Sequence, residues 1–291
     1  MNDKTIAIIG SGVVGTAIGH LLNQRGYRIA AISARTTKTL EQASQYIRAH
    51  ATTDIAAAGF MADVILITTP DDMIETACNE LAVRGVFGPE HYVFHTSGAL
   101  STDVLETART KGAKVGCIHP MHAFATIDGA IEDLPGSVFG VTADEEALPL
   151  ARQIAIDLGG EPITIRDEDR PIYHAAACAV CNYLITLVYY GQHLYESLLI
   201  PPDAALKAFL PLLKGDIRNI ERCGTAMALT GPISRGDVGT VKGHVDALKR
   251  SLPEDVALYK LLGRYTVQVA LDKGTIDREK ADRFLEILDG D

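Results

Sequence analysis

Along the first half of the chain, apolar runs that fit buried strands alternate with amphipathic stretches of helical period. Ile6 to Ile9 predicts a first strand, and Val13 to about Arg25 a helix. A second strand is predicted over 28–33 and a helix over 38–48. A short strand near 51–53 follows, then a small helix capped by Asp54 and running through Phe60. Asp63 to Thr68 reads as a buried parallel strand, and further strands are predicted at 92–95 and 114–118. Two more are expected at 136–142 and 162–165, with a helix at 144–158 between them. This alternation predicts an α/β fold with an N-terminal, doubly wound Rossmann sheet.

Past Arg166 the strand-like runs stop. Residues 171–199 have helical periodicity and are apolar nearly all round, which predicts a buried helix ended by Pro201 and Pro202. Further helices are expected at 203–222, 238–250, 254–272 and 277–288. The change of texture divides the chain into a dinucleotide-binding domain, 1–166, and an all-helical C-terminal domain, 167–291, for substrate binding and dimerisation.

The turn after the first strand, Gly10-Ser11-Gly12-Val13-Val14-Gly15, has the spacing G-x-G-x-x-G. Gly10 lets the chain leave the strand sharply, Gly12 lets a pyrophosphate approach the backbone, and Gly15 lets the helix pack on the strand. The helix N-terminus supplies free N–H groups to the phosphates. The end of the second strand decides which dinucleotide. An acidic residue there would bind the ribose 2′-hydroxyl of NAD; the chain has Ser33, Arg35 and Thr36 instead, which suit the 2′-phosphate of NADP. Ligands of such sheets lie beyond the carboxyl ends of the strands, so Thr68, Thr69, Pro70 and Ser97 are expected to line the cofactor crevice.

His119 falls at the same mouth as Ser97. An ordinary histidine titrates near pH 6.5, so His119 is the acid–base candidate. On the long helix, His174, Cys178, Cys181 and Asn182 share one face. Three soft ligands there raise a metal reading. Structural zinc wants four ligands, with cysteine pairs in turns, so no metal is expected. The loop Thr230-Gly231-Pro232-Ile233-Ser234-Arg235-Gly236-Asp237 is tightly specified, and Arg235 is a candidate for a substrate carboxylate or phosphate. Ser97, Asn182 and His174 complete the catalytic set.

The chain has 291 residues, 47% of them apolar, and a net charge of −10. Its scattered basic residues argue against a nucleic-acid or acidic-membrane surface. No uninterrupted apolar run is long enough for a membrane span, and the N-terminal apolar run is too short for a signal peptide. Five cysteines, an odd number, suit a reducing cytoplasm better than a disulfide framework.

The motifs H-P-M-H-A-F at His119, Y-H-A-A-A-C-A-V-C-N-Y-L at Tyr173 and T-G-P-I-S-R-G-D at Thr230 resemble a bacterial family described as Rossmann-like with a C-terminal domain of unknown function. More broadly the chain is similar to 6-phosphogluconate and 3-hydroxyisobutyrate dehydrogenases, pyrroline-5-carboxylate reductase and prephenate dehydrogenase. The resemblance implies an NADP-dependent oxidoreductase and a homodimer formed through the helical domain. It is mixed in detail. Where the hydroxyisobutyrate type has a lysine on the long helix, this chain has Cys178, although Asn182 matches that type's asparagine. His119-Pro120 matches the G-H-P motif of prephenate dehydrogenases without its glycine. Three readings follow. The leading one is hydride transfer with NADP to or from a small anionic carbonyl, imine or alcohol. The others are a non-catalytic NADP-binding sensor or regulatory protein, and a dehydrogenase of the prephenate type.

Overall fold

A computed structural model describes residues 4–290. Its eight-stranded sheet comprises β1 (Thr5–Ile9), β2 (Arg28–Ser33), β3 (His50–Thr52), β4 (Val64–Ile67), β5 (Tyr92–His95), β6 (Lys114–Pro120), β7 (Val138–Ala143) and β8 (Glu161–Thr164). The spatial order is β3-β2-β1-β4-β5-β6-β7-β8. The order reverses where β4 joins β1 on the side away from β2, which opens a crevice at the carboxyl ends of those strands.

The doubly wound α/β arrangement is as the alternation predicts, with one departure. β7 pairs antiparallel with β6, and β8 then runs parallel to β7. Antiparallel pairing sets His119 of β6 opposite Gly140 of β7. The last two strands thus turn their amino ends towards the mouth of the other six.

The sheet is buried on both faces, which explains its continuous apolar runs. Along β1, Ile6 and Ile8 join one core cluster and Ala7 and Ile9 the other, and all four are fully buried. The helix Val13–Gln24 covers the first face through Ala17, Ile18 and Leu22. The helix Asp71–Val83 covers the second through Ile74, Cys78 and Leu81.

The chain forms two compact units, one up to Tyr183 and one from Leu184 onward. The second unit is all-helical, with main helices Pro202–Cys223, Val238–Ser251, Val256–Lys273 and Arg278–Asp289. Val241, Val245, Val267, Phe284 and Leu288 form its core. Asp237 and Asp277 cap two of these helices by accepting backbone N–H bonds.

The long helix spans Arg170–Glu196 and belongs in part to each unit. It is not buried as its apolar sequence suggests. Arg170 alone of its residues is buried, while Ile172, Val180 and Tyr189 are 76%, 74% and 73% exposed. An all-round apolar pattern states what a helix shuns, not what covers it, and this chain leaves the surface uncovered. Together with the short segment before it, this helix also reaches, by length and composition alone, what a membrane-crossing helix needs, with a mean hydropathy of 1.4. It holds no uninterrupted apolar run of that length, because His174, Asn182, Gln192 and His193 fall within it.

Candidate active site and cofactor crevice

The glycine turn is shaped by two close approaches. Gly10 has φ +102°, and a Cβ there would lie 2.7 Å from the Thr69 backbone nitrogen. A Cβ on Gly15 would lie 2.3 Å from Thr68 Oγ1. Both positions therefore require glycine. The amides of Gly10 and Ser11 donate to the Ser33 carbonyl, and Thr68 Oγ1 donates to the Gly10 carbonyl. Ends of β1, β2 and β4 are thereby tied into one cradle. Gly12 is different, because nothing lies within 4 Å of a Cβ built there. No side chain caps the N-terminus of the helix Val13–Gln24, so its first N–H groups are not satisfied by a capping side chain.

This cradle forms one wall of a cavity of about 370 Å³. Of the expected cofactor residues, Gly10, Ser11 and Gly12 line it from the turn. Ser33, Arg35 and Thr36 line it from the end of β2, and Thr68, Thr69 and Pro70 from the end of β4. Thr69 Oγ1 is buried and has no hydrogen-bond partner. Arg35 is exposed and forms no ion pair among the described residues. The site fits a dinucleotide: an uncapped helix start for the diphosphate, a spare hydroxyl, and a guanidinium with no acidic partner.

The neighbouring strand ends carry the candidate chemistry. His119 Nδ1 lies 2.9 Å from the Tyr173 hydroxyl, with the two rings edge-on at 5.6 Å. The His174 ring also meets His119 edge-on, at 5.8 Å between centroids. A Cβ on Gly98 would lie 2.3 Å from His174 Nδ1 and 2.8 Å from His119 Nε2. Both imidazoles therefore close over the bare backbone of the loop after β5. His174 Nδ1 is buried without a partner, while its Nε2 lies 3.4 Å from Cys178 Sγ.

Arg170 organises this region. It is fully buried, and its guanidinium donates to the carbonyls of Ser97 and Leu100, to Thr142 Oγ1 and to Cys117 Sγ. No carboxylate pairs with it among the described residues. Its charge acts on the buried groups nearby. His119 is lowered to about 4, first by burial and then by Arg170 and His174. His95 is lowered to about 3 by burial and Arg170. Tyr173 is raised to about 12, mainly by burial. His119 is thus neutral near pH 7, rather than the half-protonated group its ordinary value suggests. The phenol keeps its proton and packs against the bare backbone of Gly140; in the tautomer in which it donates to Nδ1, His119 Nε2 carries the N–H.

The other expected residues are placed differently. Ser97 is buried; its hydroxyl donates to Asp71 Oδ2 at 2.7 Å and accepts from the amides of Ala99 and Leu100. That uses its full capacity to shape the loop and leaves nothing for a substrate oxygen. Asn182 is exposed on the long helix, about 12 Å further along its axis than His174 at a rise of ~1.5 Å per residue. Arg235 is exposed in the second unit, at the end of the short helix Gly231–Ser234. The sequence assigns no role to Tyr173 or Arg170, and places Gly98 only at the mouth of the sheet beside Ser97. The faint signals were an arginine opening an apolar helix beside Pro171, and a glycine directly after Ser97.

Two buried neutral histidines make stability depend on pH. Both folded values lie below the unfolded value near 6.5. Above that pH neither state binds the proton; below it the unfolded chain does and the folded chain does not. Stability is therefore lost as pH falls from about 6.5 towards 4, by up to ~1.4 kcal/mol per pH unit for each histidine. Urea unfolding should show a lower midpoint at pH 5 than at pH 7, and His119→Gln should flatten that fall. Equal midpoints at the two pH values would contradict the burial of neutral imidazoles.

Comparison with known proteins places this geometry. Residues 2–120 match the family model of a Rossmann-like domain, and residues 137–266 match a domain of unknown function, DUF2520. No curated protein matches the chain. Among solved structures, the chain is similar to a Bacteroides fragilis protein described as a candidate NADP oxidoreductase. The identity is 24%, coverage is 92% of this chain and 99% of that one, and the TM-score is 0.74. A Thermotoga maritima protein gives 25% identity with the same coverage and TM-score. Pyrroline-5-carboxylate reductase from Coxiella burnetii gives 18% identity, coverage of 98% and 99%, and a TM-score of 0.58. These likenesses show a fold shared with nicotinamide-dependent oxidoreductases. The chain thus joins a Rossmann-like domain over residues 2–120 to a C-terminal domain over 137–266 that matches DUF2520.

Proposed function

We propose that the protein is an NADP-dependent oxidoreductase that moves a hydride to or from a small anionic carbonyl, imine or alcohol. The observation that carries this reading is a crevice fitted to a dinucleotide on the sheet whose sixth strand carries the Tyr173–His119 hydrogen bond. Bound NADP would supply the hydride chemistry; the chain supplies position and protons. The uncapped helix start would hold the diphosphate, Arg35 and Thr36 the 2′-phosphate, and Thr69 a polar edge of the cofactor. The resemblance to a protein described as an NADP oxidoreductase supports the same coenzyme. That to a reductase of a carboxylate-bearing imine supports a small anionic substrate.

In the reducing direction, the substrate oxygen or nitrogen gains negative charge and draws the proton from His119 Nε2. Tyr173 supplies its own proton to Nδ1, and the resulting phenolate lies against Gly140 within the field of Arg170, whose charge favours the anion. The relay begins and ends with a neutral imidazole, which suits a histidine that burial keeps unprotonated. His174 packs beside it over Gly98 and would position the His119 ring. Arg235 is the candidate for its anionic group.

The exposed apolar surface of the long helix supports a homodimer in which a second copy covers Ile185 and Tyr189. Sedimentation equilibrium should return a dimer for the native chain and a monomer for Ile185→Asp with Tyr189→Asp; a native monomer would rule it out.

The functional test has two stages. A thermal-shift screen should show NADPH raising the melting midpoint more than NADH, with the preference reduced by Arg35→Ala. Small carboxylates screened with NADPH then identify a substrate. On it, His119→Ala should lower kcat by ~10²–10⁴ while NADPH affinity is retained, and Tyr173→Phe should lower it less. The kcat profile should be flat through pH 6.5. Full turnover in His119→Ala, or a titration at 6.5, would overturn the relay.

A further inference from the structure

His193 stands near the C-terminal end of the long helix, and Glu254 and Asp255 form the turn that leads into the helix Val256–Lys273. All three lie in the second compact unit. One ring nitrogen or carboxylate oxygen from each converges, all within 4.8 Å of one another. We infer that His193, Glu254 and Asp255 form a site for one divalent transition-metal ion of the zinc class, with its remaining positions open to water.

The geometry of the pair His193–Asp255 is the main argument. Nε2 and Oδ2 are 3.1 Å apart, close enough for a hydrogen bond. Yet that oxygen is buried and accepts none. A ring N–H aimed at the oxygen would satisfy it, so the nitrogen is directed elsewhere. The two atoms stand side by side rather than head to head. That is how ligands stand around a shared ion: donors at ~2.1 Å from zinc in a tetrahedron are ~3.4 Å from one another.

Other features agree. Glu196 lies one turn further along the same helix, with Oε2 3.9 Å from His193 Nδ1. It stands within a small side-chain adjustment of accepting a hydrogen bond from Nδ1–H when an ion holds Nε2, as a carboxylate behind a metal-bound histidine does. The Tyr190 hydroxyl donates to the Asp255 carbonyl and fixes the turn that carries both carboxylates. A neutral imidazole with two carboxylates brings a charge of −2, which a divalent cation neutralises. The nitrogen ligand favours zinc, cobalt or iron(II) over calcium or magnesium, which prefer oxygen alone. The ion would join two helices whose ligands lie some sixty residues apart in sequence, and so stiffen the helical unit. This site shares no residue with His174, Cys178 and Cys181.

The test is isothermal titration calorimetry of zinc chloride into the full chain, freed of metal by a chelator, at pH 7. One ion should bind per chain and raise the melting midpoint. His193→Gln should weaken binding at least ~30-fold, and Glu196→Gln by about 10-fold, as loss of an outer-shell partner does. Asp255→Asn serves as a second ligand variant should His193→Gln fail to fold, as judged by circular dichroism. Cys178→Ser with Cys181→Ser should leave binding unchanged. No saturable binding, full binding in both His193→Gln and Asp255→Asn, or loss of binding in the cysteine variant would each overturn the site.

Discussion

The carboxyl ends of β1 and β4 approach so closely that no side chain fits between them, and the rest of the first unit follows from that. Gly10 and Gly15 are pressed against Thr68 and Thr69, where a single Cβ would collide. Thr68 spends its hydroxyl on the Gly10 carbonyl to hold the contact. The consequence is a helix that begins directly above the sheet with no side-chain cap, beside a crevice at the point where the strand order reverses. A buried hydroxyl lacking a partner, Thr69 Oγ1, stands there. A buried group without a partner is costly in a protein meant to be complete alone, and reasonable where a ligand completes it.

A second constraint acts one strand further on. Arg170 is buried without a carboxylate, held by carbonyls, a hydroxyl and a thiol drawn from β6, β7 and the loop after β5. Breaking a buried charge away from its partners is strongly unfavourable, so those elements are locked together around it. Burial first, and the same charge second, keep His95 and His119 neutral, and neutrality is what allows Tyr173 to donate to His119. Architecture and proton chemistry at this edge are therefore linked through Arg170.

These constraints were unequally legible in the sequence. The glycine turn, the strand ends at Thr68 and His119 and the change to helices past Arg166 could all be read, because each is written within a few neighbouring residues. Most of the crevice followed from them. Tyr173 and Arg170 could not be placed, since their partners lie 28 to 73 residues away and no local pattern records such a meeting. Ser97 was visible as a loop residue, but its engagement with Asp71 depends on a contact across 26 residues. The reversal of β7 was hidden because alternation of strand and helix does not carry strand direction. The long helix was read as buried because hydrophobic periodicity gives the preference of a surface and not its neighbour.

The central claim is that the turn at Gly12 receives the diphosphate of a dinucleotide. Gly12→Asp tests it directly, because a side chain there meets nothing within the protein and aspartate is a favourable residue at a helix start. The measurement is a titration of NADPH, followed by its fluorescence, on the native and variant chains. The account predicts an unchanged or slightly higher melting midpoint for the variant and affinity lowered by ~100-fold or more, since a carboxylate would occupy and repel the phosphate position. A variant that folds normally and binds NADPH as the native chain does would contradict it.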